Sequence, residues 1–170
     1  MVFIVNGAAR NGKTTFENLV SKIGREKYGL ETAIFSTIDC IKDIALDCGW
    51  GGEKDETSRA MLSDMKILFT KYLDYPFKET CKQIDMSILD GVDFIFVDSR
   101  EREDIKRYVD RYEAITIYVE NINNKESFYN SADMDARIDH YPYDYCVENN
   151  GTLEDLENRV IEFIEKYKGE

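Results

Sequence analysis

The sequence predicts an α/β fold: a parallel sheet of apolar strands covered by helices on both faces. Three observations point there. Short strand-like runs and helix-like runs alternate along the chain. The strand candidates are apolar throughout instead of alternating, as strands buried on both faces must be. And a glycine loop at 7–14 joins the first strand candidate to the first helix candidate.

Taken in order, Met1-Val2-Phe3-Ile4-Val5 is a β-branched, apolar run broken by Asn6 and Gly7. After Lys13, apolar residues at Phe16, Leu19, Val20 and Ile23 keep helical spacing. Thr32-Ala33-Ile34-Phe35 is the second strand, ending at Ser36-Thr37. Ile38, Ile41, Ala45 and Cys48 mark a helix stopped by Gly49-Trp50-Gly51-Gly52. Residues 56–73 predict a long helix with Met61, Met65, Leu68, Phe69 and Tyr72 on one side, and Pro76 opens another to about Leu89. Phe94–Val97 is a third strand, ending in Asp98. Ile105, Tyr108, Val109 and Tyr112 define an amphipathic helix, and Ile115–Val119 a fourth strand. Residues 121–140 are polar with a weak apolar pattern. Tyr143–Val147 is the fifth strand. Asn149-Asn150-Gly151 turns the chain, and Thr152 caps a final helix with Leu153, Leu156, Val160, Phe163, Ile164 and Tyr167 inward.

A chain of 170 residues, 43% hydrophobic, suits one domain with a proper core. The net charge of −12 lacks the basic footprint of a nucleic-acid binder. Cys40, Cys48, Cys81 and Cys146 show no metal-ligand spacing and are expected as reduced, buried thiols of a cytoplasmic protein. His140 stands alone, which argues against a His-based metal site or triad. No apolar run has membrane-spanning length, so no membrane partner is expected. Met1 leads straight into the first strand candidate, so no targeting segment is expected.

Residues 7–14, Gly-Ala-Ala-Arg-Asn-Gly-Lys-Thr, match GxxxxGK[ST], the phosphate-binding P-loop. The strand before it and the helix after it are the context that motif demands. Backbone amides of Gly7, Ala8, Ala9, Arg10, Asn11, Gly12, Lys13, Thr14 and Thr15 are thereby candidates to cradle phosphates. Lys13 would reach the β and γ oxygens, and Thr14 would offer its hydroxyl to Mg²⁺. Arg10 could add charge near the γ-phosphate or be an exposed loop tip. Asp98, at the carboxyl end of an apolar strand, is where such a protein holds the metal; a strand-end Asp can also simply cap the next helix. Arg100, two residues on, can grip an acceptor phosphate bidentately or be a solvated first-turn residue.

The class of chemistry narrows by elimination. Asp98-Ser99-Arg100-Glu101 is not the DxxG of a GTPase, and no guanine-reading NKxD follows. A helicase or motor would be longer and less acidic. What remains is a small ATP-dependent kinase with a second anion site for its acceptor. The helical insert at about 38–90 is too long for one crossover and is expected to project as a lobe carrying Lys42 and Arg59. Residues 121–140 would form a short lid offering Lys125 and Arg137.

The chain resembles nucleoside and deoxynucleoside monophosphate kinases of the P-loop group, particularly the phage-type deoxynucleotide monophosphate kinases. It is also similar to animal-type phosphomevalonate kinase. The matching stretches are Gly7–Thr14, Ser36–Lys42, the Arg59 helix, Phe96–Arg100 and Val147–Leu153, which together span nearly the whole chain. The resemblance implies a single three-layer P-loop NTPase domain over 1–170, with a five-stranded parallel sheet in the order 2-3-1-4-5. It implies ATP and Mg²⁺ as cofactors. It places Ser36, Asp39, Lys42, Arg59 and Arg100 at the acceptor, Lys13, Arg59, Arg100 and Arg137 at the transferring group, and Asn149 and Gly151 beside the adenine. The implied partner is a small phosphorylated acceptor, and the implied assembly a monomer or homodimer. The lid departs from its relatives: only Lys125 and Arg137 stand among Asp133, Asp135 and Asp139. Two other readings stay open, a kinase for a non-nucleotide phosphate ester and an ATP-binding protein without kinase activity.

Overall fold

The computed structural model describes residues 1–124 and 141–169. Its strands are β1 (Val2–Asn6), β2 (Thr32–Ser36), β3 (Phe94–Asp98), β4 (Ile115–Glu120) and β5 (Tyr145–Glu148). Its α-helices are α1 (Lys13–Ile23), α2 (Asp39–Asp47), α3 (Glu56–Leu73), α4 (Tyr75–Leu89), α5 (Arg102–Tyr112) and α6 (Leu153–Tyr167). The strands form one parallel sheet in the order β2-β3-β1-β4-β5, the arrangement the resemblance implied. In the centre, Phe3 lies opposite Phe96 of β3 and Ile115 of β4.

The chain divides into two compact units, Met1–Ile34 with Gly91–Glu170, and Phe35–Asp90. In the first, every residue of β1 is buried, as a central parallel strand requires. Strand alternation splits its side chains between two layers. Phe3 and Val5 join Phe94, Phe96, Ile117 and Val119 in a core completed by Phe16 and Val20 of α1 and by Leu156, Val160, Phe163 and Ile164 of α6. Ile4, Ile95 and Val97 take the other parity and are fully buried, as are Ile105 and Tyr108 of α5, which packs on β1 and β4.

Aromatic contacts knit the first layer. Phe3 stacks on Phe96 at 5.0 Å between ring centroids, and Phe163 lies 5.2 Å from Phe3 and 5.3 Å from Phe16. Such pairs add to the area they bury, so the sheet and its two flanking helices are fastened at one point. α6 begins where expected. Thr152 Oγ1 accepts from Asp155 N at 3.2 Å, and Asp155 Oδ2 accepts from Thr152 N at 2.7 Å, closing a capping box.

In the second unit α2, α3 and α4 pack on one another. Asp55 caps α3 by accepting from Ser58 N at 2.7 Å, and Trp50 Nε1 donates to Ser58 Oγ at 3.1 Å. Gly49 ends the preceding helix with a φ of 97°, a region costly for other residues.

Several local expectations need correction. Leu153 of α6 is exposed rather than inward, and on the apolar side of α3 Leu68 and Tyr72 are exposed. Cys40 and Cys81 are buried, but Cys48 and Cys146 are exposed; all four are free thiols. β5 starts at Tyr145, not Tyr143, because the Asp144 carboxylate accepts from both the N–H and the hydroxyl of Thr116 at 2.8 Å. A side chain there takes a β4 donor that a backbone carbonyl would otherwise receive. A π-helical turn at Gly24–Tyr28, closed by Gly29 at φ 69°, extends α1 unforeseen.

Phe163→Ala should lower unfolding stability by about 3–5 kcal/mol, as expected for emptying a site of this size. Urea denaturation measures it, and a loss under about 1 kcal/mol would show that Phe163 does not join the layers.

Candidate active site

The glycine loop sits between β1 and α1, both in the first unit. Gly7 has φ 147°, and a side chain there would collide with the Val119 carbonyl of β4. Gly12 has φ 93°, and a Cβ there would strike the Asn149 side-chain amide. Both glycines are therefore demanded by close approach as well as by backbone conformation. Arg10, at the exposed tip, adopts a left-handed φ of 62°, uncommon for a residue with a side chain. Lys13 Nζ folds back over the loop and donates to Gly7 O at 2.7 Å and Ala8 O at 3.3 Å.

Asparagines brace this loop from within and from outside. Asn6 Oδ1 accepts from Gly7 N at 2.7 Å while its Nδ2 donates to the Tyr143 hydroxyl at 2.7 Å. Asn11 is buried, and its Nδ2 donates to Val119 O at 3.1 Å. Asn124 Nδ2 donates to Ala9 O at 2.8 Å and Asn11 Oδ1 at 2.9 Å, and Asn149 Nδ2 donates to Asn11 O at 3.0 Å. The ends of β4 and β5 thus hold carbonyls of the loop. Of these residues, Asn6, Asn124 and Tyr143 had no signal as site residues, because their roles arise from contacts more than 100 positions apart in sequence or from a single polar residue ending a strand.

Asp98 is half-buried at the carboxyl end of β3 and Arg100 half-buried two residues on. With Ala9, Arg10, Gly12, Lys13, Thr14 and Thr15 they line one cavity of about 420 Å³. The structure thus brings the loop, the strand-end carboxylate and Arg100 together. The exposed Thr14 hydroxyl and the Asp98 carboxylate are hard oxygen donors beside a phosphate-sized space, so they fit Mg²⁺, which takes one or two protein oxygens and fills its remaining positions with phosphates and water.

Glu17 carries the largest surprise. It lies one turn after Lys13 on α1, is 1% exposed, and neither carboxyl oxygen has a hydrogen-bond partner among the described residues. Burial, then the Asp98 charge, raise its pKa from 4.5 to about 8, with Lys13 pulling the other way. Reading the sequence alone, a Glu in a helix is taken as solvated. The one available signal was its place beside Phe16 and Val20 on the inward arc.

Asn149 and Gly151 fall in the turn before α6. A second cavity of about 370 Å³ is lined there by Glu148, Asn150, Gly151, Asp155, Asn158 and Arg159. Asn150 Oδ1 accepts from Ile122 N at 2.8 Å, tying the turn to the end of β4. In the second unit, Asp39 links Ser36 and Lys42: its Oδ2 accepts from Ser36 N at 2.8 Å and its Oδ1 from Lys42 Nζ at 2.7 Å. Arg59 is exposed in the first turn of α3. Lys125 and Arg137 lie outside the described residues, as does most of the expected lid.

No family model and no curated protein sequence matches the chain. Solved structures do match in fold. Thymidylate kinase from Ehrlichia chaffeensis aligns at TM-score 0.54 and 14% identity, covering 96% of this chain and 98% of that one. Shikimate kinase from Aquifex aeolicus aligns at TM-score 0.51 and 13% identity, covering 98% and 97%. A putative kinase from Chloroflexus aurantiacus aligns at TM-score 0.50 and 14% identity, covering 98% and 96%. The chain has the P-loop kinase fold over nearly its full length.

The sign of the Glu17 effect on stability follows from its raised pKa. Between about pH 4.5 and pH 8 the folded state keeps a proton that the unfolded state releases, so stability falls as pH rises through that window. Glu17→Gln should remove this slope and stand above the parent at pH 7, by up to about 3 kcal/mol. Urea melts at pH 5, 6, 7 and 8 check it; an unchanged slope in the variant would exonerate Glu17.

Proposed function

We propose that the protein is an ATP- and Mg²⁺-dependent phosphotransferase whose acceptor is a small phosphorylated molecule, a nucleoside or deoxynucleoside monophosphate. The observation that carries this reading is the single cavity lined by Lys13, Thr14, Asp98 and Arg100. Phosphoryl transfer through a loose transition state demands positioning and charge neutralisation more than covalent chemistry, and those four side chains supply both.

Backbone amides of the loop orient the ATP phosphates at the N-terminus of α1, where the helix dipole favours anions. Lys13 leaves the Gly7 and Ala8 carbonyls and turns to the β and γ oxygens. Thr14 and Asp98 would hold Mg²⁺, which would neutralise charge developing on the phosphates. Arg100 orients the acceptor phosphate. The turn at Asn149–Thr152 borders the adenine, beside the cavity at Asn150 and Gly151.

Ser36, Asp39, Lys42 and Arg59, all of the second unit, are assigned to acceptor binding, with Lys42 and Arg59 supplying positive charge. Lys42 Nζ pairs with Asp39 Oδ1 at 2.7 Å. The kinases that share the fold act, by their names, on thymidylate and on shikimate. The acceptor is therefore assigned from cations in this chain and from its motif order, not from the fold.

Lys13→Ala should reduce acceptor-dependent ADP formation by at least about a hundredfold while circular dichroism stays unchanged, because a preorganised charge facing the transferring group is lost. Near-normal turnover in the folded variant would remove Lys13, and with it this site, from the reaction.

A further inference from the structure

We propose that Glu17 is an additional acidic residue of the cation site, helping Thr14 and Asp98 to hold the metal that accompanies the nucleotide. This rests on the ATP–Mg²⁺ reading above. Helical Cβ atoms tilt toward the N-terminus, so a side chain at position 17 reaches back toward the first turn, where Lys13 and Thr14 begin α1. The charges that act on its carboxyl are Asp98 and Lys13, both lining the phosphate-sized cavity.

A buried carboxyl with both oxygens unpartnered is a rare and costly feature. Its neighbours explain the burial but not the acid. Phe16 and Val20, on either side in the buried arc, are fully enclosed apolar residues. A leucine or glutamine would fill the same space without facing the negative charge of Asp98. A divalent ion beside Asp98 turns that repulsion into joint attraction for a carboxyl whose oxygens have no hydrogen-bond partner among the described residues. Metal sites commonly depend on carboxylates that act through a bound water or an adjacent ligand.

The test is binding, not turnover. A fluorescent N-methylanthraniloyl ATP is titrated into the full chain at a series of Mg²⁺ concentrations, for the parent and for Glu17→Gln. The parent should bind more tightly as Mg²⁺ rises. The variant should need about tenfold more Mg²⁺ for the same tightening, with Mg²⁺-free affinity unchanged or improved. An identical Mg²⁺ dependence in the folded variant overturns the proposal and leaves the ATP–Mg²⁺ reading standing. A parent that fails to bind the nucleotide, or binds it without regard to Mg²⁺, overturns both. If Glu17→Gln does not fold, Glu17→Leu, which removes the acid together with its desolvation cost, carries the same comparison.

Discussion

The Val119 carbonyl oxygen occupies the space where a Gly7 side chain would be, and the loop's geometry is built outward from that contact. With β4 pressed against it, the chain leaving β1 can take only a glycine path. It then turns at Gly12, under the Asn149 amide, into the first turn of α1. Each crowded point comes from a different strand or turn. The loop is consequently shaped by the register of β1 with β4 and of β4 with β5. The aromatic layer around Phe3 and Phe163 holds that register, so packing far from the cavity determines where the loop's amides point.

The electrostatics follow from a shortage of positive charge. In a chain of net charge −12, a phosphate site must set its cations against nearby acids. Lys13 rests on two carbonyls, near Asp98 and Glu17. Asp98 lines the same cavity as Arg10, Lys13 and Arg100 and offsets part of their charge, which a divalent cation arriving with the nucleotide would restore. Under the proposed reaction, Mg²⁺ would thus support nucleotide affinity as well as the chemistry.

Much of this was legible in the sequence, for local reasons. β1 and β3 are unbroken apolar runs, and the motif between β1 and α1 needs only eight consecutive positions. The Thr152 cap and the Pro76 helix start are equally local. The failures share another cause. Leu153 has the right helical spacing and is exposed, as are Leu68 and Tyr72 on the apolar side of α3, because periodicity marks a face without saying whether anything covers it. The start of β5 turned on Asp144 reaching Thr116, and the loop's bracing on Asn124 and Asn149 reaching back to residues 9 and 11, contacts without a local signature. Glu17 was missed because residue type outweighed position: its charge suggested water, while its place between Phe16 and Val20 pointed to the core.

In the proposed reaction the loop is the donor half of a kinase. ADP release, followed with ATP and Mg²⁺ across nucleoside monophosphates and small phosphate esters, tests it most directly. ADP should form many times faster with a nucleoside monophosphate than without an acceptor. ATP binding with no acceptor able to accelerate ADP release would contradict it.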